Sequence, residues 1–284
     1  MHSFHGAVVV TLYGPTPPGL WQHLRSYSRS GLLVVAVNND TMPRSAQAQA
    51  LAQGFWLDNA NRGGLAGGLN RGVEAALLAD CQTITLLDQD SALSQEAVLT
   101  LHRQLRDQPD QVLGPAVWDQ DRQTWHTPPG SRPRLLITSG TSFTAATWQK
   151  VGPYLEWMEI DYIDHEWCSR ARQLGLEMRV LPAAELKLSQ QFGQRHPNGL
   201  AHRLGLQLYS PYRRAVALRN LRWLAQKAHV PLDIRLKEVV KMAVKPWLWL
   251  ALEPHQGDTL RALLAGLQAP PGQPFPRARL EGIA

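Results

Sequence analysis

The sequence predicts an α/β fold with a mostly parallel sheet flanked by helices, followed by a basic helical extension. Short apolar runs alternate with amphipathic stretches up to residue 181, and such alternation is typical of parallel strand–helix–strand units. Charge is uneven along the chain. Residues 1–190 carry 15 basic and 18 acidic side chains, a net charge of −3, whereas residues 191–284 carry 14 and 5, a net charge of +9. We therefore expect a sheet-bearing domain at 1–190 and a basic, mainly helical region at 191–284.

Composition excludes several classes of protein. The chain has 284 residues, of which 44% are hydrophobic, which is enough for a full core. Its two cysteines, Cys81 and Cys168, lack ligand-like spacing, which argues against a disulfide scaffold or zinc site and favours a reducing compartment. No apolar run reaches the ~18–20 residues of a spanning helix, and the N-terminus lacks a signal-peptide pattern. We expect a cytoplasmic protein, at most peripheral on the inner face of the membrane.

The first predicted elements form one strand–helix–strand unit. A strand at 7–13 ends at Gly14 and Pro15, and a helix with one apolar side follows at 20–30. Gly31 closes that helix, and a second buried strand follows at 32–37. The unit has ~30 residues, the size of a βαβ crossover. A third, short strand is predicted at 54–58.

A glycine-rich helix comes next. Apolar residues recur every four positions from Leu65 to Leu77, which predicts a helix with one apolar stripe. Five glycines lie between Gly63 and Gly72, although each costs ~1 kcal/mol relative to alanine in a helix interior. Either a ligand or backbone approaches closely here, or the helix packs tightly on the sheet; the sequence favours neither. The pattern matches neither the dinucleotide fingerprint nor the P-loop.

The central strand, predicted at 84–87, ends in Asp88 and Asp90. Side chains two positions apart in an extended segment point the same way. Ligands of open α/β sheets bind at the carboxyl ends of the strands, where these two acids lie. Because two adjacent carboxylates repel each other, a cation would stabilise them. Mg²⁺ or Mn²⁺ with a nucleotide diphosphate fits that requirement.

The middle of the chain continues the alternation. We predict a helix at 96–107, a strand at 112–117 and a polar, proline-rich loop at 119–134. A strand broken by glycine follows at 135–143, and a short helix at 145–151 ends at a Gly-Pro pair.

An acidic cluster opens the next helix, which carries an apolar stripe from Ile163 to Leu174 and ends at Gly175, before a last strand at 177–181. The acids are Glu159, Asp161, Asp164 and Glu166. Acids at a helix N-terminus are favourable by ~0.3–1 kcal/mol each, but four exceed what capping needs. Crowded carboxylates raise one another's pKa, which is one way to tune a general base.

The basic region contains two predicted helices, at 212–229 and 232–251, and a proline-rich end at 269–276 that we expect to be disordered. Lysines beside Trp and Leu suit a helix lying on anionic lipid. A helix packed on the first domain with a solvated basic face explains the same pattern equally well. A membrane-surface contact through 212–252 is therefore one of two open interpretations.

The ordered set of motifs resembles glycosyltransferase family 2, which has the Rossmann-like GT-A fold, and most closely its bacterial rhamnosyltransferase branch. The likeness extends from Val8 to Gly266. The motifs that carry it are 10–13, the glycine-rich 64–72, the Asp-x-Asp segment 86–91, the Ser139-Gly140 turn, the acidic 160–170, and 210–214 with 219–220.

This resemblance implies an inverting transfer of L-rhamnose from dTDP-L-rhamnose to a hydroxyl of a cell-surface polysaccharide or lipid-linked glycan. Asp164 would be the catalytic base. Acceptor-binding or supporting residues would be Asp161, Glu166, Trp167, Ser139 and Gly140. Nucleotide-sugar-binding residues would be Thr11, Tyr13, Asn38, Asp58, Gly64, Asn70, Asp88, Gln89 and Asp90. Asp88 and Asp90 would also hold Mg²⁺ or Mn²⁺.

Two positions depart from the family pattern. Asn38 stands where the family usually has Asp, and Gln190 falls near a histidine that is often a metal ligand, so metal dependence is open. These departures motivate one alternative, a catalytically impaired binding or scaffold protein. Another is a sugar nucleotidyltransferase, although residues 13–19 lack the basic side chain such an enzyme needs. Nucleic-acid binding is not expected, since no recognised module is present and the acid cluster would repel phosphate.

Overall fold

The structure is a computed structural model that describes residues 6–280, apart from residues 43, 46–48, 50–53, 92, 183–186, 191–193, 205 and 254. The side chains of residues 190, 194, 195, 278 and 279 also lie outside the described part.

The described residues form twelve strands and nine α-helices. The strands are β1 Gly6–Leu12, β2 Leu33–Asn38, β3 Phe55–Asp58, β4 Thr83–Asp88, β5 Gln111–Gly114, β6 Ala116–Asp119, β7 Thr124–Thr127, β8 Ser142–Thr144, β9 Glu177–Val180, β10 Lys187–Gln190, β11 Gln194–Arg195 and β12 Gln207–Leu208. The helices are α1 Leu20–Arg29, α2 Gly64–Leu78, α3 Gln95–Asp107, α4 Ala145–Val151, α5 Ile163–Gln173, α6 Gly199–Arg203, α7 Pro211–Leu224, α8 Leu232–Leu252 and α9 Gln256–Gln268. Short 3₁₀ helices lie at Glu156–Met158 and Arg277–Leu280.

A seven-stranded sheet organises the first domain, in the order β3-β2-β1-β4-β8-β5-β9. Only β8 runs antiparallel to its neighbours, so the predicted mostly parallel α/β fold is confirmed. The chain moves outward from β1 to β3 and returns to β4 on the other side of β1. Such a switch point opens a crevice at the carboxyl ends of the strands.

Both faces of the sheet are buried, which explains why its strands are continuous apolar runs. Val9 of β1 points to the face covered by α2, α4 and α5, whereas Val8 and Val10 point to the face covered by α1 and α3. All seven residues of β1 are buried.

Two of the glycines of α2, Gly68 and Gly72, are explained by packing against the sheet. A Cβ at Gly72 would lie 2.3 Å from Val9 Cγ1 and 3.0 Å from Val37 Cγ2. A Cβ at Gly68 would lie 3.0 Å from Thr11 Cγ2. Gly68 and Gly72 thus support tight helix-on-sheet packing, whereas Gly64 supports close approach of another backbone, since its Cβ would lie 2.6 Å from the Glu159 carbonyl oxygen.

Two predicted strands differ from the structure. The run 112–117 is two strands in different sheets, because Pro115 interrupts the ladder between β5 and β6. The predicted loop at 119–134 contains β7, which pairs with β6 in a three-stranded sheet completed by β10. Of the predicted strand at 135–143, only its end belongs to β8.

The C-terminal helices form a packed layer. Helices α7 and α9 cross closely, since a Cβ at Gly266 would lie 2.5 Å from the Ala215 carbonyl oxygen. Ala269 and Phe275 are buried beside them, so the expectation of a disordered end was wrong over that stretch. The aromatic ring of Phe275 contacts Tyr212 with centroids 5.7 Å apart, which holds the proline-rich segment against α7. The proposed boundary at residue 190 stays a prediction.

Helix α8 presents an apolar face to solvent. Its exposed large apolar side chains are Leu232, Leu236, Val239, Val240, Val244 and Trp247. They recur at helical spacing opposite the buried Ile234, Glu238 and Trp249. Within the described residues, no helix combines the length and the apolar character required to cross a membrane.

Candidate active site

A cleft of about 760 Å³ opens at the carboxyl ends of β1 and β4. The start of α5 closes one side, and α7 and α8 of the C-terminal layer close the other. Seven of the residues predicted to bind donor or act in transfer line it: Thr11, Tyr13, Asp88, Gln89, Asp90, Asp161 and Asp164. The sheet register pairs Thr11 with Asp88 and so brings the ends of β1 and β4 together at the cleft.

Asp88 lies partly buried at the end of β4, and its backbone N–H donates to the Ser139 hydroxyl at 3.3 Å. Burial, together with the nearby carboxylates of Asp90 and Asp164, raises the pKa of Asp88 to about 7, against an opposing effect of Arg213. In the absence of a cation, this carboxylate is therefore poorly stabilised in its charged form.

Gln89 has a role within the protein. Its side-chain oxygen accepts from the Tyr13 backbone N–H at 3.0 Å, and its amide donates to the carbonyl oxygens of Tyr13 and Pro15. These bonds fasten the loop after β1 to the Asp-x-Asp segment.

A row of polar side chains continues from the cleft along the carboxyl ends of β2 and β3. Register pairs Asn38 with both Leu12 and Asp58, and the Asn38 amide donates to the Asp58 carboxylate at 2.9 Å. The departure from Asp at position 38 therefore creates a hydrogen bond between Asn38 and Asp58 where two carboxylates would repel. Neither side chain lines the cleft itself.

Asp164 lies in the first turn of α5, and its carboxylate is 21% exposed toward the cleft. His165 approaches it twice, through its ring Nδ1 at 2.9 Å and its backbone N–H at 2.8 Å. Burial raises the pKa of Asp164, but the charge and hydrogen bonds of His165 outweigh burial and hold the pKa below its usual range. The expectation that acid crowding raises the pKa of the base was wrong here, because His165 dominates.

The remaining acids of the cluster are neutralised by arginines. Arg213 makes a bidentate pair with Asp161 at 2.8 and 2.9 Å. Glu166 is buried and takes two bonds from Arg170, at 2.7 and 2.8 Å. Glu159 lies 3.6 Å from the buried Arg219 of α7. Asp161 therefore reaches the cleft already paired, and Glu166 faces away from it.

Helix α7 also restrains the backbone of the acidic loop. Glu159, Asp161 and Tyr162 all have left-handed backbones, with φ of 63°, 57° and 65°. The Asn220 amide donates to the carbonyl oxygens of Met158, Ile160 and Asp161 at 2.7 to 3.0 Å. Left-handed residues without glycine persist where their surroundings enforce them, and they concentrate at functional sites.

Five further predicted residues lie outside the cleft. Trp167 is fully buried in an aromatic cluster, with its indole N–H donating to the Gly152 carbonyl at 2.9 Å. Asn70 exchanges two hydrogen bonds with the Tyr154 backbone, at 2.9 and 3.0 Å. The Ser139 hydroxyl accepts from the Asp88 backbone N–H, and the Gly140 backbone N–H donates to the Leu86 carbonyl, so both residues hold β4. Gly64 packs against Glu159. All five position elements of the site instead of lining it.

Sequence reasoning missed the residues that the C-terminal layer adds to the cleft. These are Tyr209, Lys241, Met242, Lys245 and Trp249, together with His165 and Tyr162 beside the base. The spacing of Lys241 and Lys245, one helical turn apart, was the available signal. Gln190 lies in β10, where its backbone pairs with Asp119 of β6, but the Gln190 side chain lies outside the described part.

The carboxylates of the cleft fit a divalent cation that is completed by substrate. Among the described residues, no group of three or more His, Cys, Asp or Glu side chains is arranged to hold a metal. Mg²⁺ is commonly bound by one or two carboxylates, waters and substrate phosphates, which matches Asp88 and Asp90. The raised pKa of Asp88 shows that its charged form is disfavoured, and a bound cation would stabilise that charged form.

Comparison with known proteins finds one relative by sequence and several by fold. The dTDP-rhamnosyl transferase RfbF of Shigella flexneri is 26% identical over 280 residues, covering 92% of this chain and 93% of that protein. No protein-family model matches the chain. The chain is therefore a glycosyltransferase that is similar to the rhamnosyltransferases of family 2.

Solved structures support the GT-A fold of this glycosyltransferase. S. aureus TarS 1-349 in complex with UDP-GlcNAc has a TM-score of 0.56 at 12% identity, covering 96% of this chain and 82% of that one. GalNAc-T7 with UDP, GalNAc and Mn²⁺ has a TM-score of 0.56 at 13% identity, covering 90% of this chain. The chain spans 57% of the GalNAc-T7 structure and 48% of the longer TarS structure.

Proposed function

We propose that this glycosyltransferase moves L-rhamnose, with inversion, from dTDP-L-rhamnose to a hydroxyl of a lipid-linked or polysaccharide acceptor. One observation carries the proposal: Asp88 and Asp90 share one cleft with the ionised, solvent-accessible carboxylate of Asp164. The donor is proposed from the S. flexneri relative, whose name specifies dTDP-rhamnosyl transfer.

In this mechanism, Asp164 accepts the proton of the acceptor hydroxyl as its oxygen attacks the anomeric carbon. Its low pKa keeps it ionised at neutral pH, so it is ready to accept that proton. His165 holds the carboxylate in place through its ring and its backbone N–H. Asp161 and Arg213 form the floor of the acceptor side, while Thr11 and Tyr13 border the nucleotide.

Asp88 and Asp90 would hold Mg²⁺ or Mn²⁺. When bound, such an ion stabilises the negative charge of a diphosphate leaving group. GalNAc-T7, a protein of the same fold, has been crystallised with Mn²⁺ and UDP.

The exposed face of α8 supports a contact with an anionic membrane surface, on the cytoplasmic side. Trp247 is 71% exposed and Val240 is 62% exposed on a helix of the region that carries a net charge of +9. The four described acids of that region, Asp233, Glu238, Glu253 and Asp258, all lie in ion pairs within the protein. Exposed cations of the region, such as Lys237 on α8, can therefore attract anionic lipid. The buried Arg214 and Arg219 of α7 belong to the interior instead.

Thermal-shift and calorimetric titrations with dTDP, UDP and GDP, each with Mn²⁺, Mg²⁺ or EDTA, test the function. We expect metal-dependent stabilisation by dTDP that the Asp90→Ala variant loses. Preferential binding of UDP or GDP would exclude the rhamnosyl donor and keep the transferase. A folded protein that binds no nucleotide would be the scaffold protein instead.

Sedimentation with vesicles tests the membrane contact. Vesicles of phosphatidylcholine with 30% phosphatidylglycerol should retain the wild-type protein and release a Val240→Ser, Trp247→Ser double variant. Leu78→Ser, which changes an 87% exposed leucine at the end of α2, is the matched control and should stay bound. Equal binding of all three proteins would contradict the contact.

A further inference from the structure

The cleft has one acidic wall and one basic wall. The acidic wall consists of Asp88, Asp90 and Asp164 at the ends of β4 and the start of α5. Lys241 and Lys245 line the opposite wall, one turn apart on α8. At this spacing two helical side chains lie side by side, with ~5–6 Å between their Cβ atoms. The two ammonium groups therefore face the same part of the cleft.

The protein only partly compensates this basic pair. Lys241 pairs with the buried carboxylate of Glu238. Lys245 has no carboxylate within ion-pairing distance among the described residues, although it is partly buried. Burial lowers the pKa of Lys245, and the charge of Lys241 lowers it further. Like charges at this helical spacing are destabilising, so the pair is better suited to a bound anion than to an empty cleft.

Arg213, the third cation of the cleft, does not compete for that anion. Its Nε and Nη2 groups both donate to Asp161, in the bidentate pair, so a carboxylate already balances its charge. A ligand entering the cleft therefore meets Lys245 as the positive group without a paired carboxylate among the described residues of the C-terminal wall, with Lys241 one helical turn away. Lysine binds phosphate as a point charge without demanding a planar partner.

We infer that Lys241 and Lys245 form a subsite for a phosphate or diphosphate group on the C-terminal wall of the cleft. The group can come from the nucleotide donor or from a lipid-linked diphosphate acceptor, and both present the same chemistry. This inference deepens the proposed function, on which it rests for the choice of these two sources. The position of the subsite, on the same helix as the exposed apolar face, suits an acceptor whose lipid remains in the membrane.

Calorimetry of the full-length protein tests the subsite with three probes: dTDP with Mg²⁺, inorganic pyrophosphate, and farnesyl diphosphate below its micellar concentration. Lys245→Gln and Lys241→Gln should each weaken the binding of whichever probe occupies the subsite on the order of tenfold, as expected for one charge-assisted contact. Lys245→Arg should restore most of the affinity. Lys237→Gln is the matched control, because Lys237 is an exposed lysine of α8 that does not line the cleft.

The probes separate the two sources. Selective weakening of dTDP assigns the subsite to the donor, and selective weakening of farnesyl diphosphate assigns it to the acceptor. Pyrophosphate binding that depends on Lys245, in a protein that binds no nucleotide, would preserve the subsite and defeat the proposed transfer. Unchanged affinity for every probe in both glutamine variants, or an equal loss in Lys237→Gln, would overturn the inference.

Discussion

Arg213 and Asp161 join the two halves of the cleft. The guanidinium of Arg213, in the first turn of α7, pairs with both carboxylate oxygens of Asp161, in the loop before α5. The ring of Tyr209 stacks 4.2 Å from the guanidinium carbon and limits its movement. Since Asp161 has a left-handed backbone, this pair helps to hold a strained loop beside the candidate base.

Breaking that pair should loosen the acidic loop. We expect Arg213→Ala and Asp161→Ala each to lower the free energy of unfolding by about 1–2 kcal/mol, because the pair is bidentate but partly exposed. In a double-mutant cycle, the two changes should couple by about 1 kcal/mol. Urea unfolding of the four proteins measures both quantities.

The exposed pair Arg261 and Asp258 provides a comparison for this prediction. It joins two positions three residues apart on α9, with the Arg261 side chain 59% exposed. Its coupling should be below ~0.5 kcal/mol. Equal coupling in the two cycles would show that Arg213 does not restrain the loop.

Asp164→Asn should abolish most transfer without affecting donor binding. The amide retains the shape of the side chain but cannot accept the acceptor's proton, so kcat should fall about 10²–10⁴-fold. The affinity for dTDP should stay close to that of the wild-type protein, and the melting temperature should fall only slightly, because the ion pair with His165 is lost. Steady-state kinetics with donor and acceptor measures the loss.

An exposed acid provides the control for this substitution. Asp110→Asn, at a turn before β5, removes one negative charge at an exposed position outside the cleft. It should leave kcat unchanged. Retention of more than a tenth of the activity in Asp164→Asn would assign proton acceptance to another group.

The fold and half of the candidate site were predictable from local sequence. Parallel strands at predictable positions bring Thr11 and Asp88 together, because register and apolar length are local properties. The partners of the acids were not predictable. Arg213, Arg214 and Arg219 look alike in a basic helix, yet one pairs in the cleft and two are buried in the interior. Which acid each arginine pairs with depends on how α7 packs against segments that are distant in the sequence.

The same limit applies to Lys241 and Lys245. Apolar and basic residues alternate around α8, and the sequence alone leaves open which side packs on the domain. The buried Trp249 decides the matter by placing the lysines at the cleft and Trp247 in solvent. Trp167 differs in the other direction. It lies next to the acidic motif and was expected to bind or support the acceptor, but its ring packs against Trp148 and Tyr154.

Gly72→Ala should destabilise the fold through overpacking. The added methyl group would meet Val9 and Val37 across the contact between α2 and the sheet. Forced repacking of this kind costs about 1–3 kcal/mol, more than the helix propensity gained. Gly257→Ala on α9 is the matched control, because its Cβ would meet no atom within 4 Å, and it should stabilise by up to ~1 kcal/mol. Denaturant unfolding of both variants distinguishes packing from propensity.

His102 should make the fold sensitive to acid. Its ring nitrogens contact the hydroxyls of Thr83 and Thr85, both at 2.8 Å, beneath the central sheet. Burial, together with the charge of Arg106, lowers the pKa of His102 to about 3. Below pH ~6.5 the unfolded chain therefore binds a proton at His102 that the folded chain does not bind. The contribution of His102 to the free energy of unfolding is fully present above that pH and is lost as the pH decreases toward 3.

We expect the free energy of unfolding to fall by up to about 1.4 kcal/mol per pH unit, or ~2 kcal/mol between pH 6.5 and 5. His102→Gln keeps a donor and an acceptor for the two threonines and should remove this part of the pH dependence. Urea unfolding at pH 7, 6 and 5 measures it, and identical slopes for both proteins would contradict the buried neutral histidine.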